Sequence, residues 1–309
     1  MNVSANFILF IFAQTQCKGT FTAVMNTVTI DKELLSPLLL KREDDSHKGD
    51  YGHLLIVAGC ERMPGAAVLA TGAALKSGCG LVSLHSTGRA LQAVAINFPS
   101  AMLSEDPGKH FSVMPDLESR HFTAIAAGPG LGKAAETRIV LLELLRAARG
   151  KKIPIVLDAD ALNILSETDN WQALVPESSI LTPHLGELRR LFPAAGNDDA
   201  EPTIRNFCEK TGSILVRKGF HTRVYTPSGD CFVNTTGNPG MAKGGSGDVL
   251  TGLTAGLLAR GYSPVDAAIL GVWIHGYAGD ILTENFTTEA YNSRDLIDAI
   301  WRGFALLSA

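Results

Sequence analysis

From His53 onward the chain alternates short β-branched runs with helical patterns, and this alternation restricts the fold more than any other feature. HLLIVAG (53–59) reads as a buried strand, GAAVLATGAALKSGC (65–79) as a tightly packing small-residue helix, and GLVSLHS (80–86) as a second strand. AIAAGPGLG (124–132) is a strand running into a glycine turn. ETRIVLLELLRAARG (136–150) carries apolar residues at helical spacing and closes on a glycine cap. IPIVLDADAL (153–162) and SSILTPHLGELRRLF (178–192) repeat the strand-to-helix transition. SILVRKG, TRVYT and CFVNTTG form a closing group of strands joined by tight turns, and two helices finish the chain, the first opening on Pro264 after Ser263. Such alternation predicts an α/β fold with a mostly parallel, doubly wound central sheet flanked by helices, with ligands at the carboxyl ends of the strands.

No linker, low-complexity tract or fixed repeat breaks the pattern, so a single domain over residues 25–309 is expected. Residues 1–24 differ in character. Phe7 to Ala13 are consecutive apolar residues, far short of the roughly 20 needed to span a bilayer. MNVSAN lacks the basic region of a signal peptide, and the segment is expected to lie outside the fold. The net charge of −4 offers no electrostatic basis for a nucleic acid or an anionic membrane as partner. The five cysteines (Cys17, Cys60, Cys79, Cys208, Cys231) include no C-x-x-C pair, which argues against a disulfide framework or zinc site and for a reducing cytoplasm.

Four strand ends carry polar groups. GPGLGK (128–133) superficially resembles a Walker loop, but Ala127 stands where its first glycine belongs and alanine follows Lys133. It reads either as a ligand loop or as a tight turn. LDADALNIL puts Asp158 and Asp160 just before a helix, where acids serve as caps or as site groups. In LTPHLGEL, His184 leads a helix with Glu187 close behind, giving a polar rim or a structural histidine. In VRKGFHTRVY, the turn from Lys218 to Thr222 is either a plain hairpin or a backbone approach to a phosphate or base edge.

GNPGMAKGGSGDVLTG (237–252) is sharper. Leu250, Leu253, Leu257 and Leu258 share a helical face, Gly261 is a stop signal, and the helix is expected to begin near Gly247. Residues 244–247 then offer free backbone N–H groups at a helix amino end, which is an anion cradle. Asp248 on the first turn could be a mere cap. A cap, however, does not need the four glycines and one serine found in the eight preceding residues. A carboxylate beside a phosphate cradle can take a proton from a hydroxyl attacking a terminal phosphate. On this reading the glycines make room for a transferring phosphoryl group.

The helix-opening GxGD late in an α/β chain resembles the ribokinase-like superfamily, and the wider match is closer. HKGDYGHLLIVAG, MPGAAVLATGAALKSGCGLV, GPGLG, LDADALNIL, LTPHLGEL, VRKG and TGNPGMAKGGSGDVLTG resemble, in this order, the NAD(P)H-hydrate dehydratase family. The resemblance runs from about His47 to Asp280 and weakly beyond. It implies repair of hydrated nicotinamide cofactors, NADHX and NADPHX. ADP (bacterial-type members) or ATP (eukaryotic ones) phosphorylates the ring hydroxyl, and elimination of phosphate restores NADH or NADPH. It places the damaged cofactor against Ala67, Gly130, Gly132 and His184. The nucleotide falls against Lys218, Gly219, Phe220, His221, Thr222 and Gly247, and Asp248 is the base, itself touching the substrate. Ser246 stands where many members have threonine or methionine, a small residue that should preserve the loop. Mg2+ is implied with the phosphates, though no tight protein metal cage is evident. A homotetramer is implied, as is functional pairing with a separate epimerase, since this chain resembles the dehydratase alone.

Two other functions compete. A vitamin-precursor or sugar kinase of the same superfamily would keep the GxGD helix and release a phosphorylated product. A nucleotide-binding regulator without turnover would survive loss of Asp248. NPGMAKGGSGD together with GCERMPGAA separates the dehydratase from generic sugar kinases, which lack the pair.

Overall fold

The computed structural model describes residues 27–193 and 200–309; the expected extension over 1–24 lies outside the described residues. In chain order the elements are β1 (Thr27–Ile30), α1 (Lys32–Leu35), β2 (His53–Val57), α2 (Pro64–Lys76), β3 (Leu81–Thr87), α3 (Gly88–Asn97), β4 (Met102–Asp106) and β5 (Ala124–Ala127). Then come α4 (Ala135–Lys151), β6 (Ile155–Leu157), α5 (Ala159–Ser166), β7 (Ile180–Leu181), α6 (Leu185–Leu191) and α7 (Glu201–Thr211). The chain closes with β8 (Ile214–Arg217), β9 (Arg223–Tyr225), β10 (Cys231–Asn234), α8 (Ser246–Arg260), α9 (Pro264–Leu282) and α10 (Ser293–Ser308).

Among the described residues, ten strands form one sheet in the order β1-β10-β9-β8-β7-β6-β5-β2-β3-β4. Only β9 runs antiparallel to its neighbours β8 and β10. The chain builds outward from β2 through β3 to β4, then returns to lay β5 on the other side of β2. The β2/β5 junction is therefore the topological switch point, where the connections from the two strands leave to opposite faces of the sheet and a ligand crevice is expected.

The strands are apolar on both faces because both faces are covered. Leu54 and Ile56 face the cluster built with α2, α8, α9 and α10. Leu55 and Val57 point the other way, into the cluster under α4, α5, α6 and α7. That period-two split repeats at β5, where Ala124 and Ala126 oppose Ile125 and Ala127. Helices α2 and α8 press together closely. A Cβ on Gly252 would lie 2.0 Å from the Ala70 carbonyl oxygen, and one on Gly256 would lie 2.1 Å from Ser77 Oγ.

One expected terminus is different. Helix α4 runs through Gly150 and ends with Lys152 in the left-handed region at φ 56°, so a lysine takes the position a glycine usually fills. Among the described residues no helix is long and apolar enough to cross a membrane.

Candidate active site

The carboxyl ends of β6, β7, β8 and β10 and the amino end of α8 enclose a cavity of about 750 Å³. Its walls include His184, the whole turn Lys218–Thr222, Gly247 and Asp248. Eight of the eleven residues singled out from the sequence thus meet in one cavity.

Gly245 caps α8 in the left-handed region at φ 92°, and no side chain caps this end. Asp248 sits two residues inside, at the third helical position, so its carboxylate is not the helix cap. The amides of Gly247 and Asp248 belong to the first turn, where no intrahelical carbonyl can satisfy them. Both residues line the cavity.

Asp158 at the end of β6 is buried and takes two partners. Its Oδ1 lies 2.5 Å from Lys218 Nζ, and its Oδ2 accepts a 2.8 Å hydrogen bond from the Thr251 hydroxyl. The Lys218 ammonium is also 3.9 Å from the buried Glu187 carboxylate. A Cβ on Gly247 would lie 3.3 Å from Lys218 Nζ and 3.5 Å from Asp158 Oδ2. The ion pair therefore sits directly against the first turn of α8. Burial, with the Asp158 charge second and Asp160 adding to it, raises the Asp248 carboxyl from 3.8 to about 7, against the opposing pull of Lys218. A carboxylate tuned to neutrality can both take and return a proton.

His184 caps α6. Its Nδ1 accepts from the Gly186 and Glu187 amides, and Glu187 Oε2 accepts from the His184 amide. His184 thus both caps the helix and lines the cavity. In the 218–222 turn, the Thr222 hydroxyl donates to the Gly219 carbonyl. His221 is left-handed at φ 55°, and Phe220 is 86% exposed, its ring tilted against the His221 ring with centroids 3.9 Å apart.

Ala67, Gly130 and Gly132 do not line this cavity; they gather at the β2/β5 crevice. The Gly59 amide donates to the Pro129 carbonyl at 2.7 Å, drawing the two strand ends together. Ala67 is fully buried, and its methyl would be 2.8 Å from a Cβ on Gly59, so it sets the spacing beneath the crevice. Gly130 packs on Met63 and Ala66. Asp160 bridges the two regions, its Oδ2 accepting from the Gly132 amide at 2.8 Å, so it pins the glycine turn and is not a cap.

The role of the glycines also needs correcting. Gly240 packs under the 288–291 segment, with the Thr288 carbonyl 2.6 Å from a would-be Cβ, and Gly245 packs on Leu69 and Ser293. Gly240 and Gly245 admit protein; of the four, Gly245 and Gly247 line the cavity. Sequence reasoning also missed Thr251 and His275. Thr251 was within reach, since residues three apart on a helix share a face. His275 lies 3.3 Å from Ser246 Oγ and is held neutral by burial, down to about 4. It comes from α9 and gave no local signal. Among the described residues no three His, Cys, Asp or Glu side chains converge to hold a metal ion.

The NAD(P)H-hydrate dehydratase family profile matches residues 54–302. The chain is 36% identical over 262 residues to a bifunctional NAD(P)H-hydrate repair enzyme of Gloeobacter violaceus, covering 84% of this chain and 51% of that one. It spans about half the length of such bifunctional relatives. To the ADP-dependent (S)-NAD(P)H-hydrate dehydratase of Bacillus subtilis it is 31% identical over 286 residues, 91% of this chain and 100% of the relative. The crystal structure of an ADP/ATP-dependent NAD(P)H-hydrate dehydratase from Bacillus subtilis, co-crystallised with ATP/Mg2+, superposes with a TM-score of 0.80 at 30% identity, covering 92% of this chain and 99% of that one. The ordered motifs, the ribokinase-like sheet and these alignments agree, and the chain belongs to the NAD(P)H-hydrate dehydratase family.

Proposed function

We infer that the protein catalyses the ADP-dependent dehydration of the S epimer of NADHX and NADPHX, restoring NADH or NADPH and releasing AMP and phosphate. The observation that carries this reading is Asp248, a carboxyl raised to about 7 on the first turn of α8, beside amides free to bind an anion. In this reading the Gly247 and Asp248 amides hold the phosphoryl group while Asp248 accepts the proton of the attacking ring hydroxyl. The oxygen–phosphorus bond forms as the phosphoryl group's bond to AMP breaks, and phosphate then leaves the ring carbon as the adjacent ring carbon gives up a proton, whose bonding electrons form the ring double bond.

The Lys218–Thr222 turn holds the nucleotide, largely through its backbone, which leaves the Phe220 side chain in solvent. The hydrated ring reaches Asp248 from the side of the β2/β5 crevice, with Gly130, Gly132 and His184 along its path and Ala67 beneath. Mg2+ comes with the nucleotide in this reading. The Asp158 oxygens are already taken by Lys218 and Thr251, so the phosphates supply most of the ion's ligands, and its charge offsets theirs. ATP is the alternative donor. A cytoplasmic homotetramer working alongside a separate epimerase completes the proposal.

The test is direct. Purified protein is incubated with NADHX and either nucleotide, and the absorbance of reduced nicotinamide is followed. Recovery of NADH with stoichiometric AMP from ADP is expected. A stable phosphorylated sugar or vitamin precursor, with no NADH recovered, would sink the reading in favour of a small-molecule kinase.

A further inference from the structure

A lysine in a glycine-rich loop ahead of a helix invites the role of phosphate ligand. Lys243 lines the cavity, but its ammonium is already engaged. Its Nζ donates to the carbonyl oxygens of Thr288 at 2.9 Å, Glu289 at 2.9 Å and Tyr291 at 2.5 Å. An ammonium has three N–H donors, and here all three end on backbone carbonyls. The Tyr291 ring centroid is 4.8 Å away, adding a cation–π contact. No donor is left for a ligand.

The same two segments are fastened at further points. The Tyr291 hydroxyl donates to Asn238 Oδ1 at 2.6 Å, and the Ser293 hydroxyl donates to the Gly244 carbonyl at 2.8 Å. Gly240 has no room for a Cβ against the Thr288 carbonyl and the Tyr291 hydroxyl. From the other side Asp280 of α9 accepts from the Gly237 amide at 2.8 Å and from the Asn238 amide group at 3.2 Å. Lys243 supplies the positively charged link, next to the Gly244–Gly247 stretch that opens α8.

We propose that Lys243 is a positioning residue, an internal ammonium that clamps the 237–245 segment onto residues 288–291 and so aims the first amides of α8, without itself touching the ligand. The clamp's consequence for nucleotide rests on the function proposed above; the clamp itself does not. Lys243→Ala would leave a cage of three carbonyls that a small N–H donor cation can refill. Lys243→Met fills the same space with an uncharged stem.

Hydrogen exchange over residues 237–247 and ADP binding are measured on the wild type and both variants, with added ammonium or methylammonium and with tetramethylammonium as a control lacking N–H groups. Both variants are expected to lose protection over 237–247 and to bind ADP roughly tenfold or more weakly, in line with the loss of charge-assisted hydrogen bonds. Ammonium and methylammonium should restore the alanine variant and not the methionine variant, and tetramethylammonium neither. Unchanged exchange over 237–247 overturns the clamp. Weaker ADP binding with unchanged exchange makes Lys243 a phosphate ligand instead. If the wild type itself fails to bind ADP, the functional reading falls while the exchange measurements still decide the clamp.

Discussion

Asp248 stands among charges that pull in opposite directions. Burial and the neighbouring Asp158 favour its neutral form, and Lys218 favours the ionised one. Asp248→Asn keeps the shape of the side chain but cannot accept a proton, so turnover should fall about 10²–10⁴-fold. ADP affinity should stay within a few-fold, because the first-turn amides remain. Stability should move the other way. The folded carboxyl titrates near 7 and the unfolded one near 3.8. Between these values the unfolded chain has lost a proton that the folded chain keeps, so ionising Asp248 subtracts stability as pH rises. At pH 8 the asparagine variant should melt at or above the wild-type temperature; near-normal turnover or a clear loss of stability would contradict a base held at a cost to folding. The pH–rate profile gives a second check. The base must be ionised, so kcat/KM should fall on the acid side with a midpoint near 7. Asp158→Asn removes a like charge and frees Lys218, and both changes favour the Asp248 carboxylate. That acid limb should therefore shift to lower pH; a shift to higher pH would show that Asp158 acts on Asp248 chiefly through packing.

Elements buried on both faces were legible in the sequence, because apolar runs bounded by glycine, proline or a polar residue mark them. Strands β2, β5 and β6 and helices α8 and α9 belong to this group. Strand β1, helix α3, strand β4 and helix α7 were not read. Strand β4 lies at the sheet edge and alternates partly buried with exposed residues, so MLSED carries no apolar run. Helix α7 buries only Ile204, Phe207 and Cys208 along a polar sequence. The α2–α8 contact makes a prediction at this scale. Gly252 meets the Ala70 carbonyl with no room for a methyl, so Gly252→Ala should force the helices apart and cost about 1–3 kcal/mol by overpacking. Urea unfolding measures it, and an unchanged midpoint would mean that the helices part freely. Asp248 rides on the same helix, so turnover should fall as well.

Across the whole molecule, the site draws on chain segments far apart in sequence, which explains why its parts were easier to read than its assembly. His184, Lys218 and Asp248 each stood out beside a strand end or a glycine. That Asp158 would join Lys218 to Thr251, or that Asp280 would hold Gly237, depends on how strands and helices are ordered in space, and no local pattern encodes it. The domain reading also yields a prediction. Deleting residues 1–24 should leave turnover and melting temperature close to those of the full chain, because the alternating strand and helix pattern of the sequence begins only after Met25. A truncated chain that fails to fold while the full one is active would place that segment in the core. Strand β1 has one more consequence. It pairs in parallel with β10, Thr27 opposite Cys231 and Ile30 opposite Asn234, and Asn234 lines the cavity. During synthesis β1 leaves the ribosome long before its partner exists, so its hydrogen-bonding edge must wait, open to water or to a chaperone, while the central strands assemble. A nascent chain arrested before β10 should hold the switch-point crevice but no competent nucleotide pocket. Among the described strands, the first made is among the last to be fastened.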